Sequence, residues 1–308
     1  MKKIVIAVDG SIHSKNAVHY AAEKYKQLSD VSFSLIHIQP TVSQYLAEEA
    51  GKTTSGKGKL EKIHLKNQSV ALELLAELKD TMIREGVDEK DIECFTQPRR
   101  HNAAKDILDY SEKKNVCAVL AGRSGISYMK ELMIGSVTSE LFTHSKLVPI
   151  WVVDHKVRSG DLLVAVDGSP GSRRVVDHVS FVMAGAKFDR IIFLHIASKL
   201  SDYCPVDSSK KNEEMEDFIK KSDRSATADF HHQALAMLKK AGIAEQRIDF
   251  KTLESRWLVG KAIIEEAKRL NTQTIVVGKS GSGDAEHIGK VPRYIINKFE
   301  DCAIWLVP

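Results

Sequence analysis

Cysteine is scarce in this chain. Its four residues, Cys94, Cys117, Cys204 and Cys302, are spread over 308 positions with no CxxC pair, which excludes a disulfide scaffold. Long apolar runs are also missing. No stretch approaches the roughly 18 apolar residues that a membrane-spanning helix requires. A charge excess is lacking too: 45 Lys and Arg stand against 41 Asp and Glu, for a formal net charge of +4. So small a balance calls for neither nucleic acid nor an anionic membrane as partner. The opening Met1–Asp9 has an apolar run too short for a signal-peptide core, because Asp9 interrupts it. It reads as a first β-strand. These absences lead to the expectation of a reduced, cytoplasmic protein. With 43% hydrophobic and 28% charged residues, the composition is that of a globular chain. Its length corresponds to about two domains.

The chain repeats itself. Ile4-Val5-Ile6-Ala7-Val8-Asp9-Gly10-Ser11 returns as Leu162-Leu163-Val164-Ala165-Val166-Asp167-Gly168-Ser169, an offset of 158. Val119-Leu120-Ala121-Gly122 returns as Ile275-Val276-Val277-Gly278 at 156, and Ile150-Trp151-Val152-Val153 as Ile304-Trp305-Leu306-Val307 at 154. An offset that drifts so little means one fold used twice, and the expected domains are 1–154 and 160–308. In the first copy, strand-like runs at 3–8, 31–38, 92–96, 116–121 and 148–153 alternate with helical patterns at 14–28, 63–83, 102–114 and 136–143. Ser14 is a candidate N-cap. Strands alternating with helices predict a parallel five-stranded sheet covered on both faces, an α/β domain. The polar stretches 39–60 and 198–225 fit no element well. They are read as loops or partly helical lids.

The strongest motif follows the fourth strand of the first copy: Gly122-Arg123-Ser124-Gly125, nine residues, then Gly135-Ser136-Val137-Thr138. Glycines allow close backbone approach to a ligand. Successive N–H groups in such a loop make an anion nest. A helix opening at Gly135-Ser136 would add its N-terminal N–H groups and dipole. Ser136 and Thr138 offer hydroxyls, and Arg123 offers charge. Asp9, at the end of the first strand, would face the same crevice if strands one and four are neighbours. Phosphate-holding glycines beside a carboxylate for ribose imply a nucleotide.

This spacing, with the Ala7-Val8-Asp9-Gly10-Ser11 first strand, resembles the ATP-binding subclass of the universal stress protein family, present as two domains in tandem. The resemblance implies a Rossmann-like, adenine nucleotide alpha hydrolase-like fold with strand order 3-2-1-4-5. It implies ATP with adenine near Ala7, Asp9 and Ile38. The phosphates would lie on Gly122, Gly125, Gly135, Ser136, Val137 and Thr138, with Mg2+ accompanying the nucleotide. It also implies that the last strands, Ile150–Val153 and Ile304–Val307, pair as an intramolecular pseudo-dimer. The second copy departs from the pattern. Gly278-Lys279-Ser280-Gly281 is followed by only seven residues before Gly289. Lys290 replaces the serine, Pro292 replaces the threonine and removes an N–H, and Asp284 adds negative charge. One competent site in the first copy and a weakened or empty one in the second are therefore expected.

Plainer readings stand beside these. The glycines can be turn residues and Asp9 a strand-end cap. His37 and His195 read as satisfied core histidines, His231-His232 as a surface pair and Arg99-Arg100-His101 as a solvated loop. No catalytic group and no metal-ligand spacing emerge. The expected function is an ATP-binding stress-response regulator acting on an unknown protein client. The alternatives are a slow ATPase or self-phosphorylating protein with Ser136 or Thr138 as acceptor, and a nucleotide-free interaction scaffold.

Overall fold

The structure is a computed structural model. It describes residues 1–125, 134–199, 213–254, 258–281 and 287–308. The chain divides into two compact units, Met1–Lys156 and Val157–Pro308.

The first unit runs β1 (Lys2–Ala7), α1 (Ile12–Tyr25), β2 (Val31–Gln39), α2 (Gln44–Gly51), α3 (Thr54–Arg84), β3 (Ile92–Pro98), α4 (Ala103–Lys113), β4 (Ala118–Gly122), α5 (Ser136–His144) and β5 (Ile150–Val153). All strand pairs are parallel, in the order β3-β2-β1-β4-β5. The predicted order 3-2-1-4-5 is the one observed. In the middle of β1, Ile4, Val5 and Ile6 have no exposed surface. Val5 lies opposite Ser34 on one side and Val119 on the other. A strand buried on both faces must be apolar throughout, which is why it reads as a continuous run rather than an alternation. On one face Tyr25 of α1 stacks against Trp151 of β5, ring centroids 6.2 Å apart.

The second unit repeats the plan with β6 (Leu162–Val166), α6 (Pro170–Met183), β7 (Ile191–Ile196), α7 (Glu213–Lys240), β8 (Ile248–Leu253), α8 (Val259–Arg269), β9 (Thr274–Gly278), α9 (Lys290–Lys298) and β10 (Ala303–Val307). Its strands are parallel and ordered β8-β7-β6-β9-β10.

Two expectations are corrected. The N-cap of α1 is Ser11, not Ser14: the Ser11 hydroxyl accepts from the Ser14 N–H at 3.1 Å. Ser14 sits inside the first turn, its own hydroxyl donating to the Ser11 carbonyl. The stretch 39–60, read as a loop or partly helical lid, is mainly helix, which corrects the loop alternative. Ser43 caps α2 by accepting from Leu46 N, and Thr53 caps α3 by accepting from Gly56 N. These caps supply partners for orphan N–H groups at both helix starts. α3 buries only Ala71, Leu75, Leu78 and Met82, so residues 54–70, about 25 Å of helix at 1.5 Å per residue, form an overhang that buries no side chain in the core. Because this part covers no core, its apolar pattern is weak, and the sequence reading started the helix only at residue 63.

Two stability predictions follow from this packing. Leu75→Ala removes a 1%-exposed anchor of α3 and is expected to cost about 2–5 kcal/mol in urea unfolding of the first unit. Leu65→Ala, in the overhang and 58% exposed, is expected to stay within about 0.5 kcal/mol. Equal effects would mean that the overhang is anchored too. His178 on α6 is buried with its ring edge on Trp305, and burial pushes its imidazole down to about 3. An unfolded chain protonates histidine near 6.5, so between these values the unfolded state binds the extra proton. The stability contributed by neutral His178 is present above about 6.5 and is lost as pH falls toward 3. The urea midpoint should fall more steeply across this window in the wild type than in His178→Leu. Parallel slopes would remove His178 as the cause.

Candidate functional site

In the first unit, β1 has β2 on one side and β4 on the other. The connections leave in opposite directions from this point, and a crevice opens at the strands' C-terminal ends. Ala7 and Ile38, half-buried, stand on adjacent strands at this end. Asp9 follows β1, and the chain turns at Gly10 with φ +83. The Asp9 Oδ1 accepts from the Ser11 N–H at 3.0 Å. Its other oxygen points at Gly125: a Cβ there would lie 2.5 Å from Oδ2. The structure therefore brings Asp9 and the glycine loop together.

Gly122 has a different neighbour. A Cβ on it would meet the His13 carbonyl carbon at 2.6 Å and Ser14 N at 2.8 Å. The first turn of α1 lies directly on the end of β4, so this glycine is required by helix–strand contact, whatever the crevice holds. The two ends of the motif are also tied together. The Gly135 N–H donates to the Arg123 carbonyl at 2.9 Å, and the buried Thr138 hydroxyl donates to the Gly122 carbonyl at 2.8 Å. The Thr138 hydroxyl is thereby engaged within the protein. Gly135 is the N-cap of α5, which no side chain caps, and its first turn carries no acid. Ser136 and Val137 are exposed there. The first N–H groups of a helix have no intrahelical acceptors, so this terminus offers free donors and a positive dipole end.

Arg123 is only 2% exposed, and its guanidinium pairs with Asp154 at 3.0 Å. Its charge, expected at phosphates, is committed to this buried ion pair. His13 joins the cluster by donating from Nδ1 to the Asp154 carbonyl at 2.6 Å. Sequence reasoning passed over Asp154 as boundary polarity. Its position directly after the last strand, at the same sheet end as Asp9, is the signal that could have found it.

The second unit keeps part of this frame. The Gly289 N–H donates to the Lys279 carbonyl at 2.8 Å, as Gly135 does to Arg123. Pro292 is buried where Thr138 stands and has no hydroxyl to donate. The close approach is now on the other partner. Gly171, at the position equivalent to His13, would place a Cβ 2.3 Å from the Ser280 carbonyl oxygen. A cavity of about 490 Å3 opens at this strand end, lined by Val166, Asp167, His195, Val277, Lys290 and Pro292 among others. Burial opposes ionisation of Asp167, but hydrogen bonds from Ser169 and Ser172 outweigh it and hold the carboxyl below its ordinary range. His195 donates from Nδ1 to the Val166 carbonyl, and its Nε2 lies 3.0 Å from Asp223 of α7. Ser198 also donates to Asp223. His37 makes the corresponding bond to the Val8 carbonyl at 2.8 Å.

Other candidates resolve more simply. His231 is half-buried rather than fully at the surface: it packs on Phe250 at 4.2 Å between ring centroids, and burial lowers its pKa. His232 is exposed. Cys204 and Asp284 lie outside the described residues. Among the described residues, His101, Asp106 and Asp109 bring ligand-type atoms within 4.8 Å. The Asp106 carboxylate, however, already accepts from the Arg100 and His101 N–H groups. No helix among them is long and apolar enough to cross a membrane.

The glycines divide into two classes that mutation can separate. Gly122→Ala drives a methyl into α1 backbone and is expected to lower stability by about 1–3 kcal/mol. Gly125→Ala meets only the end of the Asp9 side chain and should leave stability within about 0.5 kcal/mol. Calorimetric unfolding of the two variants distinguishes them. Equal Tm values would contradict the packing role of Gly122.

Comparison with known proteins agrees with the fold and the repeat. A model of the universal stress protein family matches residues 1–154 and again 160–308. Universal stress protein YxiE of Bacillus subtilis is 27% identical over 143 residues, covering 45% of this chain and 90% of that protein. A universal stress protein structure from Archaeoglobus fulgidus aligns with a TM-score of 0.62 at 17% identity, over 99% of this chain and 95% of that one. A functionally unknown protein from Pseudomonas aeruginosa aligns with the same TM-score at 11% identity, over 100% and 92%. At these identities the structures show the fold alone. With both halves matched by the family model, the chain belongs to the universal stress protein family, as a tandem member.

Proposed function

We propose that the protein is an ATP-binding regulator of the stress response, with the nucleotide held by the first unit and no catalytic step of its own. The observation that carries this reading is the uncapped start of α5, set against Gly125 and Asp9. Phosphate oxygens suit the free N–H groups of Ser136 and Val137, because a helix N-terminus is a ready anion site. Gly125 and Gly135 keep the loop ends close to Asp9 and Ser124. Asp9 faces the loop with a carboxylate suited to ribose hydroxyls, and Ala7 and Ile38 supply small and apolar surface for a base. Mg2+ would come with the phosphates rather than from a protein ligand set. Arg123 and the Thr138 hydroxyl have other partners, so they support the loop rather than the ligand.

The second unit is the weaker phosphate binder in this reading. Its α9 begins at Gly289 without a side-chain cap, but Pro292 withholds one first-turn N–H. The cavity there is lined largely by apolar side chains, which suits a base or another uncharged group better than a triphosphate.

Regulation follows if ATP binds one state of the protein better than another. The stretch 39–60 contributes less to such a switch than its sequence suggested, since it is already helical. A phosphoryl-transfer reading has less support. The Thr138 hydroxyl is buried and engaged, and the Asp9 carboxylate beside the loop already accepts from the Ser11 N–H.

Titration calorimetry with Mg-ATP is expected to give close to one site per chain. Ser136→Pro keeps the helix start, where proline is tolerated, but deletes an N–H and a hydroxyl. Losing hydrogen bonds to a charged group, at about 1.5–3 kcal/mol, should weaken binding by roughly tenfold to a hundredfold. Two sites per chain would overturn the asymmetry. Unchanged affinity in Ser136→Pro would overturn the phosphate placement.

A further inference from the structure

In each unit the long helix after the second strand begins with a stretch that covers no core. α3 buries nothing over residues 54–70, and α7 buries nothing over residues 213–229. The exposed stretch of α3 is about 25 Å long; on α7, Asp223 meets His195 of β7, so the part beyond it, residues 213–222, is about 15 Å long. Neither is polar all round. Tyr45 and Leu46 of α2, which packs along α3, are 73% and 45% exposed, and Ile63 and Leu65 of α3 are also exposed. On α7, Phe218 is 71% exposed and Met215 46%. Large exposed apolar side chains clustered on one element mark an interaction surface.

The two overhangs carry opposite charge. Residues 54–70 hold four lysines, Lys57, Lys59, Lys62 and Lys66, against the single acid Glu61. Residues 213–222 hold four acids, Glu213, Glu214, Glu216 and Asp217, against two bases, Lys220 and Lys221, with the acids gathered in the first five positions. Acids at that end also suit the dipole of α7 itself. Phe218 has no such explanation, because it stands in solvent directly after them.

A groove of about 520 Å3 lies between α3 and the ends of β2 and β3. Its lining includes Gln39, Lys57, Leu60, His64, Leu65 and Pro98. Its apolar wall is formed by Leu60, Leu65 and Pro98, and Lys57 and Glu61 both line it, with Lys62 next in the chain adding a second positive charge. That chemistry is complementary to an aromatic side chain flanked by carboxylates, which is what the start of α7 presents.

We propose that the partner of each overhang is a second copy of this chain. The α7 overhang of one copy lies against the α2–α3 arm of the other, with Phe218 seated in the groove and the acidic turn facing Lys57 and Lys62. Both complementary surfaces belong to one chain, so the contact can form twice, reciprocally, and close a dimer. The apolar seat supplies affinity, while the charges set partner choice and encounter rate.

Sedimentation velocity tests this with the full chain. A concentration-dependent dimer is expected in low salt, weakening by tenfold or more at high salt as the charges are screened. Phe218→Asp and Leu65→Asp, both at exposed positions, should each give monomer with unchanged circular dichroism. The double variant Lys57→Glu/Lys62→Glu should be monomeric alone, as should Glu214→Lys/Asp217→Lys. Mixing these two variants should restore dimer, because each then meets a surface of opposite sign. A wild type that stays monomeric at all concentrations would overturn the proposal and point to a different partner for the arms. A dimer indifferent to Phe218→Asp and to the charge reversals would overturn it as well.

Discussion

A strand with no exposed face constrains each unit of this protein. Ile4, Val5 and Ile6 lie fully buried in the middle of β1, as Leu162, Leu163 and Val164 do in β6. Helices must cover both faces of a sheet with such a strand, so the chain must pass to one face after β1 and to the other before β4. The crevice at the strand ends is a consequence of that division. The strand exists to fill the core, yet its burial places Asp9 and Asp167 where a ligand could be met.

Close contact at the same sheet end has two purposes, and the two copies distribute them differently. In the first unit Gly122 yields space to α1, leaving the neighbouring position free to be His13. In the second, Gly171 on the helix yields space to the Ser280–Gly281 backbone. Either arrangement closes the gap between helix and strand. Thr138 and Pro292 show the same substitution of means: a buried hydroxyl answers the Gly122 carbonyl in one copy, while a ring fills the place in the other. Duplicated units can therefore keep the backbone tie, Gly135 to Arg123 and Gly289 to Lys279, while their chemistry diverges. The retained tie holds the loop ends together. The changed side chains decide what the crevice can bind.

Charge is used inside the molecule as well as at its surface. Arg123 and Asp154 are both nearly inaccessible. Breaking such a pair leaves an uncompensated buried ion, which is strongly destabilising. This pair locks the end of β4 to the residue after β5 and supports the loop beside it. The overhanging helices carry their charges in solvent, where isolated pairs contribute little to stability but can select a partner.

Much of the fold was legible from the amino acids. The repeat offsets, the apolar runs and the glycine spacing determined two parallel α/β units and the end of the sheet to inspect, because strand burial and helix starts leave periodic, local marks. Helices that cover no core leave no such mark, so 39–60 read only as a loop or partly helical lid. The roles of Arg123 and Gly122 were also beyond reach. One is set by Asp154, 31 residues away, and the other by the first turn of α1, more than 100 residues earlier in the chain. Sequence alone determined which residues could meet phosphate. Only the tertiary structure decided which of them are free to do so, because a donor's availability depends on the partners that folding brings to it.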